Sequence, residues 1–174
     1  MTFGWEAPAS WLQGVNAIMI VLLAPVFGAL WSWLAHRNVN PSVPMKFALG
    51  LLALAMGFFV LAWGAANATE GSKASVVWLI VTYFFHTVGE LALSPVGLSG
   101  MTKLAPAGRV GQMMGIWFTA SSLGSLVAGL AAGGLESLPA AALFRTVALM
   151  VGGAGVIALL LSPFFGRLAH GADR

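Results

Sequence analysis

The sequence contains no cysteine and very little charge. Its 174 residues include eight lysines and arginines and five aspartates and glutamates, so charged residues make up 7% of the chain. The lack of cysteine excludes disulfides, a cysteine nucleophile and thiolate-bound metals. The scarcity of charge, beside 59% apolar residues, excludes an ordinary soluble domain, in which about a quarter of residues are charged. The composition therefore predicts a membrane protein.

Two other signals are missing. The sequence has no basic run, no zinc-finger spacing and no basic patch interleaved with aromatic residues, so it predicts no nucleic-acid partner. Its first residues carry Glu6 in place of the basic region of a secretory signal, and no small-residue cleavage site precedes the first apolar run. We therefore expect that run to remain in the protein as a spanning helix.

Five apolar stretches are long enough to cross a bilayer, which takes about 20 mostly apolar residues. They cover residues 12–35, 47–66, 76–100, 110–133 and 141–165. The breaks between them, such as HRNVNPSVPMK and TKLAPAGR, combine proline with glycine or asparagine and are typical of turns. The sequence predicts an all-α polytopic membrane protein, with residues 1–174 as one membrane domain of five transmembrane helices.

Basic residues are divided unevenly between the two sets of loops. The first and third loops and the C-terminal tail share most of them, namely Arg37, Lys46, Lys103, Arg109, Arg167 and Arg174. The opposite loops have only Lys73 and Arg145, beside the acidic residues Glu6, Glu70 and Glu136. Short loops rich in lysine and arginine stay in the cytoplasm. This pattern predicts a multi-pass protein of the inner or plasma membrane, with its N-terminus outside and its C-terminus in the cytoplasm.

Small residues recur at helical spacing in two of the predicted spans. In the second span they stand seven apart, at Gly50, Gly57 and Gly64. In the fourth they stand four apart on one face, at Ser121, Ser125, Gly129 and Gly133. Small side chains let helices approach closely within a membrane. Both stripes are therefore predicted to be contacts between helices.

One acidic residue, Glu90, falls inside a span. A carboxylate within a bilayer costs a few kcal/mol or more, so it indicates a functional site. Helical spacing places polar residues on the same side of the third span, at Tyr83, His86, Glu90 and Ser94, with Gly97 one turn further. This side should face the interior of the bundle or a hydrated cavity. Protonation of Glu90 and binding of a cation there would compete, as proton coupling requires.

Several of these residues also have structural interpretations. Glu90 could be a structural carboxylate that hydrogen-bonds to His86 and nearby hydroxyls, and His86 could be a helix neighbour rather than a proton relay. Asn16 could bond another helix or meet a substrate amine. Pro95 has no amide hydrogen and would leave the carbonyl of Leu91 without its helical donor, so it could form a gating kink or serve packing. Trp117, in QMMGIWF, could pack or line a pocket.

The third span and its continuation read GELALSPVGLSGMTKLAPAGRVGQMMGIWF. This stretch resembles the region of helices 10 and 11 in the proton-coupled oligopeptide transporters, the POT family of the major facilitator superfamily. ASWLQGVNAIMIVLLAPVFGALW resembles the family's helix 8, PSVPMKFALGLLAL the loop into helix 9, and the last span with SPFF helix 12. The resemblance implies the C-terminal part of that fold, with two bundles that rock about a central site and couple proton flow to uptake of di- and tripeptides.

The resemblance also implies roles for particular residues. Glu90 matches the helix 10 glutamate that lies near the peptide amino group and pairs with a lysine of the N-terminal bundle. Asn16 matches the helix 8 asparagine that contacts the same end of the peptide. Ser94 and Trp117 match pocket-side positions of helices 10 and 11. The implied partners are protons, di- and tripeptides, and the lipid bilayer, with no cofactor and no metal.

The family's helices 1 to 7 have no counterpart here, and with them the ExxER proton motif and the cationic groups for the peptide carboxylate. An odd number of helices that begins outside also suggests the end of a longer protein. We therefore expect a missing N-terminal seven-helix portion, and no transport by this chain alone. The alternative is a noncatalytic membrane subunit or scaffold derived from a transporter. An enzyme is not expected, because His86 and Glu90 make neither a triad nor a three-ligand metal site.

Overall fold

The computed structural model describes residues 9–67, 75–135 and 137–168. Within these residues it is entirely helical and contains five helices: α1 (Ala9–His36), α2 (Val43–Ala66), α3 (Val76–Leu104), α4 (Val110–Leu135) and α5 (Ala140–Leu168). Each has the length and apolarity needed to cross a membrane. The predicted all-α fold with five spanning helices is confirmed.

Local sequence signals account for where the helices begin and end. α2 begins at Val43, before the predicted residue 47, because Ser42 stands at its N-cap and a proline occupies its first turn, where the missing amide hydrogen costs nothing. α3 starts after Ser75, whose hydroxyl accepts from the amide of Val77 at 3.3 Å. It continues through Pro95 to Leu104 and ends just before Pro106, as helices commonly do before a proline.

The helices form an uneven bundle. α2 lies at its centre and packs along both α5 and α3, while α1 and α4 each make a smaller contact with α3. Small residues supply much of the core, since Ala48, Ala55, Ala62, Ala92 and Ala148 are all buried. This composition suits a membrane bundle, in which close backbone approach supplies the packing energy.

The glycine stripe of α2 forms the predicted helix contact. A side chain at Gly50 would meet Leu93 and the carbonyl of Gly89 on α3. A side chain at Gly57 would meet His86, and one at Gly64 would meet Trp78. The stripe on α4 behaves differently, because a Cβ added at Gly129 or Gly133 would have no atom of another helix within 4 Å among the described residues. The contact predicted for that stripe does not form within this part of the chain.

Basic residues lie at the two ends of the bundle. Lys46 and Lys103 line one cleft at the end where α1 and α3 finish and α2 starts. Arg145 lines another cleft at the opposite end, where α2 finishes and α5 starts. The first three helices therefore run in alternating directions. The predicted loop residues Glu6, Glu70, Lys73, Glu136 and Arg174 lie outside the described residues.

Candidate functional site

A cleft of ≈ 330 Å³ opens between α1, α2 and α3, part-way along the helices. We call it the Glu90 cleft. Its walls combine a few polar side chains with leucines, in the manner of a small-solute site. The residues that line it are Asn16, Leu54, Tyr83, His86, Gly89, Glu90, Leu93 and Ser94.

The polar wall of this cleft comes from α3. Tyr83, His86, Glu90 and Ser94 are spaced three or four residues apart, so an α-helix carries them on one side, and all four line the cleft. Gly97, predicted to extend this row, instead lies at a different contact, against Phe47 of α2 and Trp117 of α4. Four of the five residues that the sequence places on this side of α3 therefore line the cleft together.

A hydrogen-bond network joins α1 to α3 beside the cleft. The hydroxyl of Thr87 donates to Oδ1 of Asn16 at 2.8 Å, and Nδ2 of Asn16 faces Oε2 of Glu90 at 3.5 Å. In this arrangement the amide's NH₂ group is directed toward the carboxylate, which can only accept hydrogen bonds when it is ionised. Asn16 thus takes the interhelical role considered for it, and its second contact is with Glu90.

Thr87 is the residue that the sequence-based reasoning missed. It is 0% exposed and lies between His86 and Gly89 on α3, three residues before Glu90. Its hydroxyl also lies 2.8 Å from the carbonyl of Tyr83, so its single hydrogen is shared between that carbonyl and Asn16. The spacing of three from Glu90 was the available signal, but threonine in a helix commonly bonds only to its own backbone.

The electrostatics of the cleft rest on one carboxylate. Glu90 lies near the middle of α3 and is exposed to the open cleft. No lysine or arginine is among the residues that line this cleft. The side chain that faces the Glu90 carboxylate from α1 is the neutral amide of Asn16, and its Nδ2 lies at the outer limit of hydrogen-bond distance from Oε2. The carboxylate is therefore available to a proton or to a cation from outside the described part of the chain.

His86 is held by packing rather than by polar contacts. Its ring lies against Gly57 of α2, where an added Cβ would meet Cδ2 at 2.7 Å and Nε2 at 3.0 Å. The ring of Phe58 lies 4.8 Å away, centroid to centroid. Nε2 is buried and has no hydrogen-bond partner among the described residues. A hydrogen bond from this nitrogen to Glu90, which was part of the structural interpretation of that carboxylate, is therefore not found among the described residues.

Of the remaining predicted residues, one lies beside Glu90 and two lie apart from it. Ser94 lines the same cleft one turn further along α3. Pro95 is incorporated in the continuous α3 helix and lines the lysine-bearing cleft at the end of the bundle instead. The ring of Trp117 is not among the residues that line the Glu90 cleft. It packs edge-on against Phe47 at 6.1 Å, where α4 crosses α3 at Gly97.

No grouping of three or more histidine, cysteine, aspartate or glutamate side chains that could hold a metal occurs in the part of the chain that the structure describes. The chemistry available in the Glu90 cleft is reversible binding of a proton and hydrogen bonding to a solute. These features, on five membrane-spanning helices, define the class of the protein as a multi-pass membrane protein with a polar cleft between its helices.

Comparison with known proteins then gives the family. Residues 1–146 match the sequence model of the POT family. The chain belongs to the POT family.

Relatives and solved structures agree with this assignment. The chain is 43% identical over 170 residues to "Peptide transporter YePEPT" of Yersinia enterocolitica subsp. palearctica, covering 94% of this chain and 33% of that relative. It is 41% identical over 121 residues to a "Di-/tripeptide transporter" of Lactococcus lactis subsp. cremoris, covering 69% of this chain and 24% of that relative.

A crystal structure of a mutant "peptide transporter POT" in complex with alafosfalin superposes with a TM-score of 0.78 at 36% identity. The match covers 97% of this chain and 34% of that one. The chain therefore spans between about a quarter and a third of the length of these relatives.

Proposed function

We propose that this chain forms the C-terminal five-helix part, corresponding to helices 8 to 12, of a proton-coupled di- and tripeptide transporter. The observation that carries the proposal is the carboxylate of Glu90, which faces a cleft within the membrane-spanning region with Asn16 as its neighbour. The family membership and the relatives named as peptide transporters support the same substrate class.

In this proposal Glu90 has two alternating partners. Its carboxylate binds the positive amino group of a peptide, or a cationic side chain of the remaining part of the transporter, and it binds a proton when neither is present. The competition arises because each cation stabilises the charged form that protonation removes. Asn16 supplies a second polar contact at the amino end of the peptide, and Ser94 extends this wall by one helical turn. Glu90 is the proton-coupling residue.

A complete peptide site needs groups that do not line the Glu90 cleft. A peptide also carries a negative carboxylate, which calls for a lysine or arginine, and no such side chain lines the cleft. We propose that a seven-helix N-terminal portion supplies it and closes the open side of the cleft. Trp117 and Pro95 would then act at the edges of the site, as a pocket wall and as a point at which α3 bends during gating.

The proposed orientation follows from the charged ends of the bundle. The end with Lys46 and Lys103 faces the cytoplasm, and the end with Arg145 faces outside, because lysine and arginine concentrate on the cytoplasmic side. The N-terminus is then outside and the C-terminus cytoplasmic. The carboxylate would receive protons from the outer side and release them inward.

The test joins this chain to the N-terminal seven-helix portion of a related peptide transporter and reconstitutes the product in liposomes. With an inward proton gradient, uptake of a labelled dipeptide is expected from the joined protein and not from this chain alone. Glu90→Gln keeps the size and removes the charge, so uptake should fall about 10- to 100-fold, as expected for a lost charge-assisted hydrogen bond of ~1.5–3 kcal/mol.

A matched asparagine pair controls for general damage. Asn16→Ala should reduce uptake, whereas Asn67→Ala should not, because the side chain of Asn67 bonds to the carbonyl of Trp63 at the end of its own helix. Full uptake by the Glu90→Gln protein would contradict proton-coupled transport at this site. It would favour the second candidate function, a noncatalytic membrane subunit or scaffold.

A further inference from the structure

A second polar cleft, of ≈ 240 Å³, lies at the end of the bundle where α1 and α3 finish and α2 begins. We call it the Lys46 cleft. Its donor-bearing walls include Trp31, Asn40, Lys46, Ser99 and Lys103. We propose that the Lys46 cleft binds the phosphate of an anionic phospholipid headgroup. The proposal rests on the placement of these helices in a membrane and does not depend on peptide transport.

The charge of this cleft has one sign. Lys46 comes from the first turn of α2 and Lys103 from the last turn of α3, and the cleft lies between them. None of the residues that line it is acidic. In the part of the chain that the structure describes, the only carboxylate side chain is that of Glu90, which lines the other cleft. Two like charges around a polar cavity favour an anion between them.

Lys46 is unusual in being only 8% exposed. Its amino group lies 4.6 Å from the centroid of the Trp31 ring, a cation–π distance, and the Trp31 ring is itself packed edge-on against Phe27 at 6.1 Å. The positive charge is thus held in a defined place at the cleft wall.

A buried indole donor and the start of a helix are also found at the walls of this cleft. The indole Nε1 of Trp31 is buried and has no acceptor among the described residues, which costs free energy until an acceptor is supplied. The first turn of α2 lines the cleft at Val43. The positive end of the α2 macrodipole adds to the field of the two lysines.

The position of the cleft favours a lipid as the source of the phosphate. α1 ends at His36, α2 begins at Val43 and α3 ends at Leu104, so the cleft lies within about two turns of the ends of three spanning helices. Trp31 and Trp33 occur at this level, and tryptophan is enriched where helices meet the headgroups. Basic clefts between helices at this level suit anionic lipid headgroups.

The experiment measures lipid retention by the purified full chain with native mass spectrometry. The detergent-solubilised protein is mixed with phosphatidylglycerol and phosphatidylcholine in equal amounts and with identical acyl chains. We expect phosphatidylglycerol to be retained in clear preference. Lys103→Gln and Lys46→Gln should each lower its retention about fivefold, from ~1 kcal/mol per basic residue near a headgroup. Lys46→Arg and Lys103→Arg should preserve it.

Arg109→Gln is the matched control. Arg109 lies at the same end of the bundle, just before α4, is exposed, and does not line the cleft, so its loss should leave the preference unchanged. Lys103 is also exposed, and its variant tests the proposal even if Lys46→Gln prevents folding. Equal retention of the two lipids, or an equal loss with Arg109→Gln, would overturn the proposal. Displacement of the lipid by millimolar inorganic phosphate would overturn the lipid assignment and identify a soluble phosphate compound as the occupant.

Discussion

The α2–α3 interface and α4 are built from similar sequence and are packed very differently. Both carry glycines at regular helical spacing in an apolar background. At the interface, Gly50 and Gly89 bring two backbones together, so that a Cβ on Gly89 would lie 2.8 Å from the carbonyl oxygen of Gly50. On α4, by contrast, no residue of the spanning window is buried. Small-residue spacing thus indicates that a helix can be approached closely, and not which helix approaches it.

Among the substitutions that test this difference in packing, replacement of Gly89 should lower the free energy of unfolding the most. In Gly89→Ala the new methyl meets backbone, which cannot rotate away, so α2 and α3 must separate. We expect a loss of about 3 kcal/mol in the free energy of unfolding, at the upper end for overpacking, measured by denaturant titration in detergent. Gly129→Ala on α4 should be neutral or stabilising by up to ~1 kcal/mol from helix propensity. Equal effects of the two changes would remove the contrast.

The second-largest effect is expected at Trp117, through which α4 packs on the other described helices. Trp117 packs on Gly97 of α3 and on Phe47 of α2, so Trp117→Ala should loosen α4. We expect a loss of about 2 kcal/mol, below the ~3–5 kcal/mol of a fully buried aromatic residue, together with faster hydrogen exchange in α4. Phe118→Ala is the control, because Phe118 is 59% exposed. A loss from Phe118→Ala as large as that from Trp117→Ala would contradict the contact.

The smallest effect is expected from a comparison of two threonines, one that bonds between helices and one that bonds within its own helix. Thr87 bonds to Asn16 across two helices, while Thr119 on α4 bonds to the carbonyl of Gly115 in its own helix. Thr87→Val keeps the shape and removes the donor, so it should cost about 1 kcal/mol and raise the KM for dipeptide uptake in the joined transporter about fivefold.

Thr87→Ser should restore uptake, and Thr119→Val should leave it unchanged. An unaltered KM in Thr87→Val would show that Asn16 does not depend on this hydroxyl for its orientation. The stability loss alone would not separate the two roles, because a purely structural threonine would also lower it.

Much of the fold could be predicted because its determinants are local along the chain. An apolar run of about 20 residues can satisfy its backbone in lipid only as a helix, so the five spans required no knowledge of their neighbours. Their ends differ from the predicted ones near prolines, since α2 begins earlier with a proline in its first turn and α3 runs past Gly100 to Leu104, just before Pro106. Which helices touch was not predictable, because lipid and a neighbouring apolar helix present nearly the same chemistry to a leucine.

For the site, too, some features could be predicted from the sequence and others could not. Glu90 stood out because charge within a span is costly, and helical spacing correctly grouped it with Tyr83, His86 and Ser94. The partnership of Asn16 with Thr87 could not be predicted, since the two residues lie 71 positions apart. Pro95 was expected to kink α3 beside Glu90 and Trp117 to take a pocket-side position, and in the structure they line the Lys46 cleft and pack against Phe47, respectively. Their roles in the pocket and in gating remain predictions.

The amino-acid sequence by itself determined the five spanning helices found in the described residues, the loops in which basic residues concentrate, and the presence of one carboxylate within a span. Each of these follows from transfer between water and hydrocarbon, which acts on every segment separately. Only the tertiary structure decided that Thr87 orients Asn16 toward Glu90, that His86 lies against Gly57, and that two distant lysines share one cleft. Those features depend on distances between helices, and such distances are set by how side chains from separate segments fit together.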